Sequence, residues 1–310
     1  MPEPVSLCGV ELRGPVLNGS GTFDAIAARR VFGDTLLERF PFAAFVSKTV
    51  TLEPRQGNPP PRLWELAGGM LNSIGLPNKG LDRYLAEDLP KLAELPVPLI
   101  VNVMGSSPEE VGRLVAAFAE RDEVAALELN VSCPNVKTGL LMGADPGETA
   151  ALLDAVRHLT TKPVIVKLTP NCVSPAAVAA AAEDHGADAV SLINTLRGMA
   201  MDPRRPARPW LGGVTGGMSG PAVRAVALAQ VREVRARVAV PIVGMGGVQS
   251  GRHAADLLEA GADVVGVGTE SFRDPLAGGR VADELARLSA SGRAAPRAGV
   301  RHAAHVAQNG

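Results

Sequence analysis

The chain has 310 residues, 46% of them hydrophobic and 20% charged, with a formal net charge of −1. That length suits a single (β/α)8 barrel with insertions, and the composition supports a large core rather than extended disorder. Aromatic residues make up 3% and there is no basic excess, which argues against a nucleic-acid binder with its basic face and stacking rings. The three cysteines, Cys8, Cys133 and Cys172, form no C-x-x-C pair and no cluster with histidine. A disulfide scaffold, a zinc site or an iron–sulfur cluster held by this chain alone is therefore not expected. Reduced thiols point to the cytoplasm. The first twenty residues lack a charged stretch followed by an apolar one, so no signal peptide is expected, and no apolar run is long enough to span a bilayer.

In chain order, residues 5–7 and 10–17 read as a short N-terminal hairpin. Eight strand-like runs follow: 42–47 (FAAFVS), 70–74 (MLNSI), 98–103 (PLIVNV), 125–131 (AALELNV), 163–168 (PVIVKL), 189–194 (AVSLIN), 241–244 (PIVG) and 264–268 (VVGVG). Several are nearly unbroken apolar runs, the pattern of parallel strands buried on both faces. Helical stretches separate many of them. Residues 108–120 follow Ser106-Ser107, a favourable N-cap, and 175–185 start at a proline and stop before Gly186; 221–237 and 251–260 follow the same logic. Alternating β and α elements predict an α/β fold of the (β/α)8 TIM-barrel type, with a doubly wound sheet as the alternative. No internal domain boundary is visible in 1–288, and 289–310, poor in large apolar residues, read as a mobile tail.

In such a barrel the active site lies at the C-terminal ends of the strands. Polar residues recur there. Lys48 and Thr49 follow the first run, Asn72 and Ser73 lie in the second, and Asn102 is in the third. Asn130, Ser132, Cys133 and Asn135 end the fourth, Lys167 the fifth, and Asn194 and Thr195 the sixth. An isolated asparagine is usually a turn or cap, and an isolated lysine a stem packed on the rim. Four or more on one rim suit a flat, polar ligand, because buried amides without partners are costly. The two lysines suggest that this ligand carries negative charge. The last two runs end in Gly244-Met245-Gly246-Gly247 and Gly266-Val267-Gly268-Thr269, where glycines let a phosphate approach backbone N–H groups; tight turns are the plainer explanation. A lone cysteine is most often a small buried hydrophobe, the reading given to Cys8 and Cys172. Cys133 differs, because it follows a strand on the polar rim, and the long loop after it, to about Gly147, is a candidate lid.

These residues resemble the class I dihydroorotate dehydrogenases. The resemblance is carried by Lys48-Thr49, Gln56-Gly57-Asn58-Pro59 with Pro61-Arg62, Asn72-Ser73-Ile74-Gly75-Leu76-Pro77-Asn78, and Glu128-Leu129-Asn130-Val131-Ser132-Cys133-Pro134-Asn135. Further matches are Val166-Lys167-Leu168-Thr169-Pro170-Asn171, Ile193-Asn194-Thr195, Ser219-Gly220-Pro221-Ala222 and the two glycine loops. The resemblance implies an FMN-binding barrel that oxidises dihydroorotate to orotate in pyrimidine biosynthesis, with Cys133 as general base. It implies that Lys48, Asn72, Ser73, Ile74, Gly75, Leu76, Asn130, Asn135, Asn194 and Thr195 hold the substrate. For FMN it implies Ser20, Lys48, Thr49, Asn102, Asn130, Lys167, Ile193, Gly220, Gly246, Gly247, Gly268 and Thr269. Val136-Lys137-Thr138-Gly139, and Leu196 with Gly198-Met199, resemble the NAD-linked subgroup. That likeness implies a homodimer working with a second chain that carries FAD and a [2Fe–2S] cluster. A dihydropyrimidine dehydrogenase-like flavoenzyme and a non-catalytic phosphate-binding barrel are the alternatives. The Arg/Pro-rich stretch 203–209 departs from the family pattern.

Overall fold

A computed structural model describes residues 3–131 and 142–292. In chain order its strands are β1 (Val5–Leu7), β2 (Val10–Leu12), β3 (Val16–Asn18), β4 (Phe45–Val46), β5 (Leu63–Leu66), β6 (Gly69–Asn72) and β7 (Leu99–Val103). They continue as β8 (Val124–Asn130), β9 (Val164–Lys167), β10 (Ala189–Leu192), β11 (Leu196–Gly198), β12 (Gly216–Ser219), β13 (Ile242–Met245) and β14 (Val264–Val267). Eight of them form one parallel sheet in the order β3-β14-β13-β10-β9-β8-β7-β4. Helical segments between successive strands cover its outer face, which makes the fold a (β/α)8 barrel. The helix starts obey local chemistry: Ser107 and Ser174 accept from the N–H of Glu110 and Ala177, capping the helices Pro108–Ala119 and Pro175–Asp184.

The two ends of the sheet, β3 and β4, meet through a side chain. Asn18 donates to the Val46 carbonyl and accepts from the Val46 N–H, both at 2.8 Å, and the Ala43 N–H donates to the Val16 carbonyl at 2.8 Å. One amide side chain thus supplies the ladder bonds that two very short strands cannot make by backbone alone.

Strand residues alternate in direction, so each strand sends every second side chain into the barrel. Ile100, Ala126, Ile165, Ala189, Val243 and Val264 point inward and form a cluster with Leu17, Val46 and the hairpin residues Leu7 and Leu12. The antiparallel hairpin β1–β2 thereby plugs the N-terminal mouth. Its turn is Cys8-Gly9, both at positive φ, as tight two-residue hairpins require. Residues of opposite parity, such as Val101, Leu127, Val166 and Val190, pack outward in the larger core under the helices. Two residues further along four adjacent strands, the inward positions are Asn102, Glu128, Lys167 and Ser191, all buried. The interior therefore turns from apolar to polar toward the C-terminal rim.

Two sequence expectations are corrected. The run 70–74 is not a barrel strand: β6 belongs to a separate antiparallel sheet, β11-β12-β6-β5. The first barrel strand is β3, which the sequence merges into the second arm of the hairpin. A three-residue strand shows no period of its own, and the Met70–Asn72 run filled the vacancy in a count of eight. The helix Ala277–Ala290 runs just past the expected boundary at 288, and residues 293–310 of the expected tail lie outside the described residues.

If Asn18 closes the barrel, Asn18→Ala leaves a buried N–H and a buried C=O of Val46 unpaired. At about 1–3 kcal/mol for each of these two groups, it should lower stability by about 2–6 kcal/mol. A urea titration should show an earlier midpoint at unchanged slope. An unchanged midpoint would contradict this role.

Candidate active site

The C-terminal ends of the barrel strands open into a cavity of about 660 Å³. Ser20 enters it from the turn after β3, and Lys48 and Thr49 from the turn after β4. Asn130 and Lys167 end β8 and β9, and Ile193, Asn194 and Thr195 follow β10. The opposite wall is Asn72, Ile74, Gly75 and Leu76, brought by β6 and the turn after it. The 70–74 run thus reaches the site from the covering sheet rather than from the barrel.

That covering sheet fixes its polar groups by hydrogen bonds and close packing. Asn72 Nδ2 donates to the Gly217 carbonyl on β12 at 3.1 Å. A Cβ on Gly217 would fall 1.9 Å from Thr195 Oγ1, so only glycine lets β12 cross Thr195. Asn171 holds the far side of the same turn, donating to the Thr195 carbonyl at 2.9 Å and accepting from the Arg197 N–H at 2.8 Å. Ser73 does not line the cavity; its hydroxyl accepts from Asn58 Nδ2 at 2.9 Å and ties down the Gln56-Gly57-Asn58 turn. Trp64, on β5 of this sheet, and Trp210 meet at 4.7 Å between ring centres with their planes tilted by 56°, beside Leu71 and Leu211.

Below the cavity lies the polar layer of the barrel. Glu128 accepts from Asn102 Nδ2 at 2.5 Å and from Ser191 Oγ at 2.8 Å, and Lys167 Nζ lies 3.7 Å from the same carboxylate. Asn102 is also set back from the cavity surface, fully buried, and its Oδ1 has no hydrogen-bond partner among the described residues. A buried acceptor left unpaired is costly and suits a donor that arrives with a ligand.

At the other end Gly220, Gly246, Gly247, Gly268 and Thr269 line the cavity. Gly246 and Gly247 lie at φ +137° and +70°, and a Cβ on Gly247 would fall 2.9 Å from the Gly220 carbonyl. These two glycines are required by the turn itself. Gly268 is different: a Cβ there meets only Thr22 Cγ2, at 3.7 Å, so the backbone at this point is open to the cavity.

Lys48 keeps part of its length in the cavity mouth. Burial of the rest pulls its ammonium below the ordinary lysine pKa; nearby Asp24 opposes that shift and Arg62 adds to it. Cys133 and Asn135, with Ser132, lie outside the described residues. The chain leaves the barrel at Val131, beside Asn130, and the Gly143 N–H donates back to the Val131 carbonyl at 2.7 Å. Cys8 and Cys172 are half-buried at the edges of the two cores rather than fully inside them. Burial pushes the Cys8 thiol up to about 12, with Asp188 and Asp263 adding to the effect. Its Sγ donates to the Asp188 carbonyl at the opposite end of the barrel from the cavity.

Glu128, Asn171 and Arg55 are functional candidates that the sequence alone does not single out; Arg55 lines the cavity and its backbone pairs with Asn78. Glu128 carried a usable signal, since a carboxylate within an apolar strand run must find a partner. Arg55 only adjoins the matched Gln56 segment, and Asn171, the last residue of the matched 166–171 segment, carries no signal of its own.

Fold and cavity define a (β/α)8 barrel with an open cavity at the C-terminal rim, the place where enzymes of this fold carry their active sites. The sequence profile of the dihydroorotate dehydrogenases matches residues 4–288, and the chain belongs to that family. Among its relatives is the dihydroorotate dehydrogenase B (NAD(+)) catalytic subunit of Pelobacter propionicus, 47% identical over 285 residues, covering 91% of this chain and 92% of that one. Proteins of the same name from Citrifermentans bemidjiense and Geobacter sulfurreducens are 46% and 44% identical, the alignments covering 91% and 92% of this chain and 91% and 92% of theirs.

If Lys48 meets an anionic ligand, orotate affinity should fall as pH rises through its lowered pKa, below the ~10.4 of a free lysine. Lys48→Met should bind orotate about tenfold or more weakly, the loss of one charge-assisted bond, and lose that pH dependence. Calorimetric titration of orotate across pH checks both. An identical pH profile in the variant would place the ionisation elsewhere.

Proposed function

We propose that this chain oxidises dihydroorotate to orotate in pyrimidine biosynthesis, with FMN bound in the rim cavity. One observation carries the reading. In a chain of this family, Lys48, Asn72, Asn130, Lys167, Asn194 and the glycine loops converge on a single cavity. The unpaired Asn102 Oδ1, the open backbone at Gly268 and the Lys167 ammonium are the groups that a flavin mononucleotide needs: an acceptor, room for a phosphate and a cation. Bound FMN would supply the hydride acceptor for carbon six of the substrate.

The chain's own residues do the rest. Asn72, Asn130, Asn135, Asn194, Ser73 and Thr195, with the backbone of Ile74, Gly75 and Leu76, are proposed to hold the flat ring and its amides. Ser73 would act through the Asn58 turn it anchors. Lys48 would face the carboxylate, and Lys167 would place positive charge at the cavity floor. Ser20, Thr49, Asn102, Ile193 and Gly220, with Gly246, Gly247, Gly268 and Thr269, complete the proposed cofactor set. Cys133 is proposed as the base that takes the proton from carbon five, reaching the ring from the segment that leaves the rim at Val131.

The relatives' name, a catalytic subunit linked to NAD, supports a partner chain for onward electron transfer. We propose that this partner carries FAD and a [2Fe–2S] cluster, that the barrel chain is a homodimer, and that the complex is cytoplasmic. No helix among the described residues is long and apolar enough to cross a membrane.

Two experiments test this reading. The purified chain alone should reduce artificial dyes with dihydroorotate but reduce NAD slowly; fast NAD reduction without a partner would contradict the partner assignment. Cys133→Ala should keep FMN and bind orotate, yet slow flavin reduction by about 10²-fold or more, the usual contribution of a positioned base. Because only the thiolate accepts a proton, parent activity should rise with pH, and Cys133→Ser should retain a remnant displaced to higher pH. Cys8→Ala and Cys172→Ala should turn over as the parent does. Anaerobic stopped-flow traces across pH read all four, and a parent-like rate in Cys133→Ala would move the base elsewhere.

A further inference from the structure

Glu128, the acidic half of the ion pair under the cavity, has no role in binding or proton transfer as described above. Glu128 and Lys167 side chains are 3% and 7% exposed, inside a barrel whose next layer toward the N-terminal mouth is Ile100, Ala126, Ile165 and Ala189. Placing a carboxylate there is costly unless its oxygens are engaged. They are: Oε1 accepts from Asn102 Nδ2, Oε2 accepts from Ser191 Oγ, and Oε1 lies 3.7 Å from Lys167 Nζ. The strand register explains why these groups meet. Asn102 pairs with Glu128 across β7 and β8, and Ser191 with Lys167 across β10 and β9, so all four project into the same layer.

Two consequences follow from this arrangement. With its Nδ2 committed to Glu128, the Asn102 amide presents its unpaired Oδ1 as an acceptor. Lys167, the one member of this layer that also lines the cavity, has its positive charge offset by a fixed negative charge in a medium where charges interact strongly.

We propose that Glu128 is a positioning residue: it orients Asn102 and Lys167 at the cavity floor and offsets the lysine's charge, and so lowers the reduction potential of the flavin bound there. The proposal rests on the FMN reading above. Reduction adds negative charge to the bound group, so removing a nearby carboxylate favours the reduced form.

The test is a spectroelectrochemical titration of purified, flavin-loaded protein, without substrate. Glu128→Gln should move the two-electron midpoint upward by about 30 mV or more, the equivalent of a tenfold change in the reduced-to-oxidised ratio. Lys167→Gln should move it downward, and the double variant should return toward the parent value. If Glu128→Gln does not fold, the same charge is read in the step from Lys167→Gln to the double variant, in which no unpaired buried charge remains; that step should also be upward. A role confined to structure would not produce opposite shifts that cancel. If the parent carries FMN and Glu128→Gln, or the equivalent step, leaves the potential unchanged, this proposal fails while the cofactor assignment stands. If the parent carries no FMN, the cofactor reading fails and takes the proposal with it.

Discussion

Closing eight strands into a ring leaves one interior, and the two-residue period of each strand decides what fills it. Here that interior is graded. Leucines of the N-terminal hairpin and a layer of Ile, Val and Ala fill the end away from the site, and Asn102, Glu128, Lys167 and Ser191 form the layer beneath the rim. Everything above depends on that change in polarity. An apolar floor would give a ligand no fixed acceptor or charge, and an unpaired polar floor would destabilise the barrel.

The walls are built on a different plan. The barrel supplies Lys48, Asn130, Lys167 and Asn194 from separate strand ends, while the small antiparallel sheet brings Asn72 and the turn after it from the opposite side. Part of this wall is held before any ligand arrives. Asn72 is tied to Gly217, Ser73 to Asn58, and the turn at Thr195 to Asn171. Ordering those groups during folding rather than during binding is what makes a polar, shape-selective pocket effective, because little rotamer freedom is left to lose on binding.

Much of this was legible in the sequence, for physical reasons that differ from place to place. Strands such as Leu99–Val103 and Val164–Lys167 announce themselves because burial on both faces demands unbroken apolar runs. The helix Pro175–Asp184 is marked at both ends by Ser174 and Gly186. β3 was missed because three residues beside a hairpin carry no periodic signal, and Asn18, which closes the ring, was missed with it. The run at Asn72 belongs to the covering sheet rather than the barrel, yet Asn72 still lines the cavity, because residue type marks rim chemistry even where strand order does not. Ser73 and Asn102 are not among the residues that line the cavity: Ser73 lies behind the Asn58 turn, and Asn102 sits in the buried layer beneath the floor with its Oδ1 unpaired. Sequence spacing does not distinguish a group that lines a pocket from one that braces it.

The central claim is that the rim cavity holds a flavin and passes it the electrons of dihydroorotate. An anaerobic titration of the purified chain with dihydroorotate, followed by visible absorbance, tests it most directly. The account predicts a flavin band of one FMN per chain that bleaches with about one equivalent of substrate as an equal amount of orotate appears. A colourless protein, or a flavin band that persists while dihydroorotate is left intact, would contradict it.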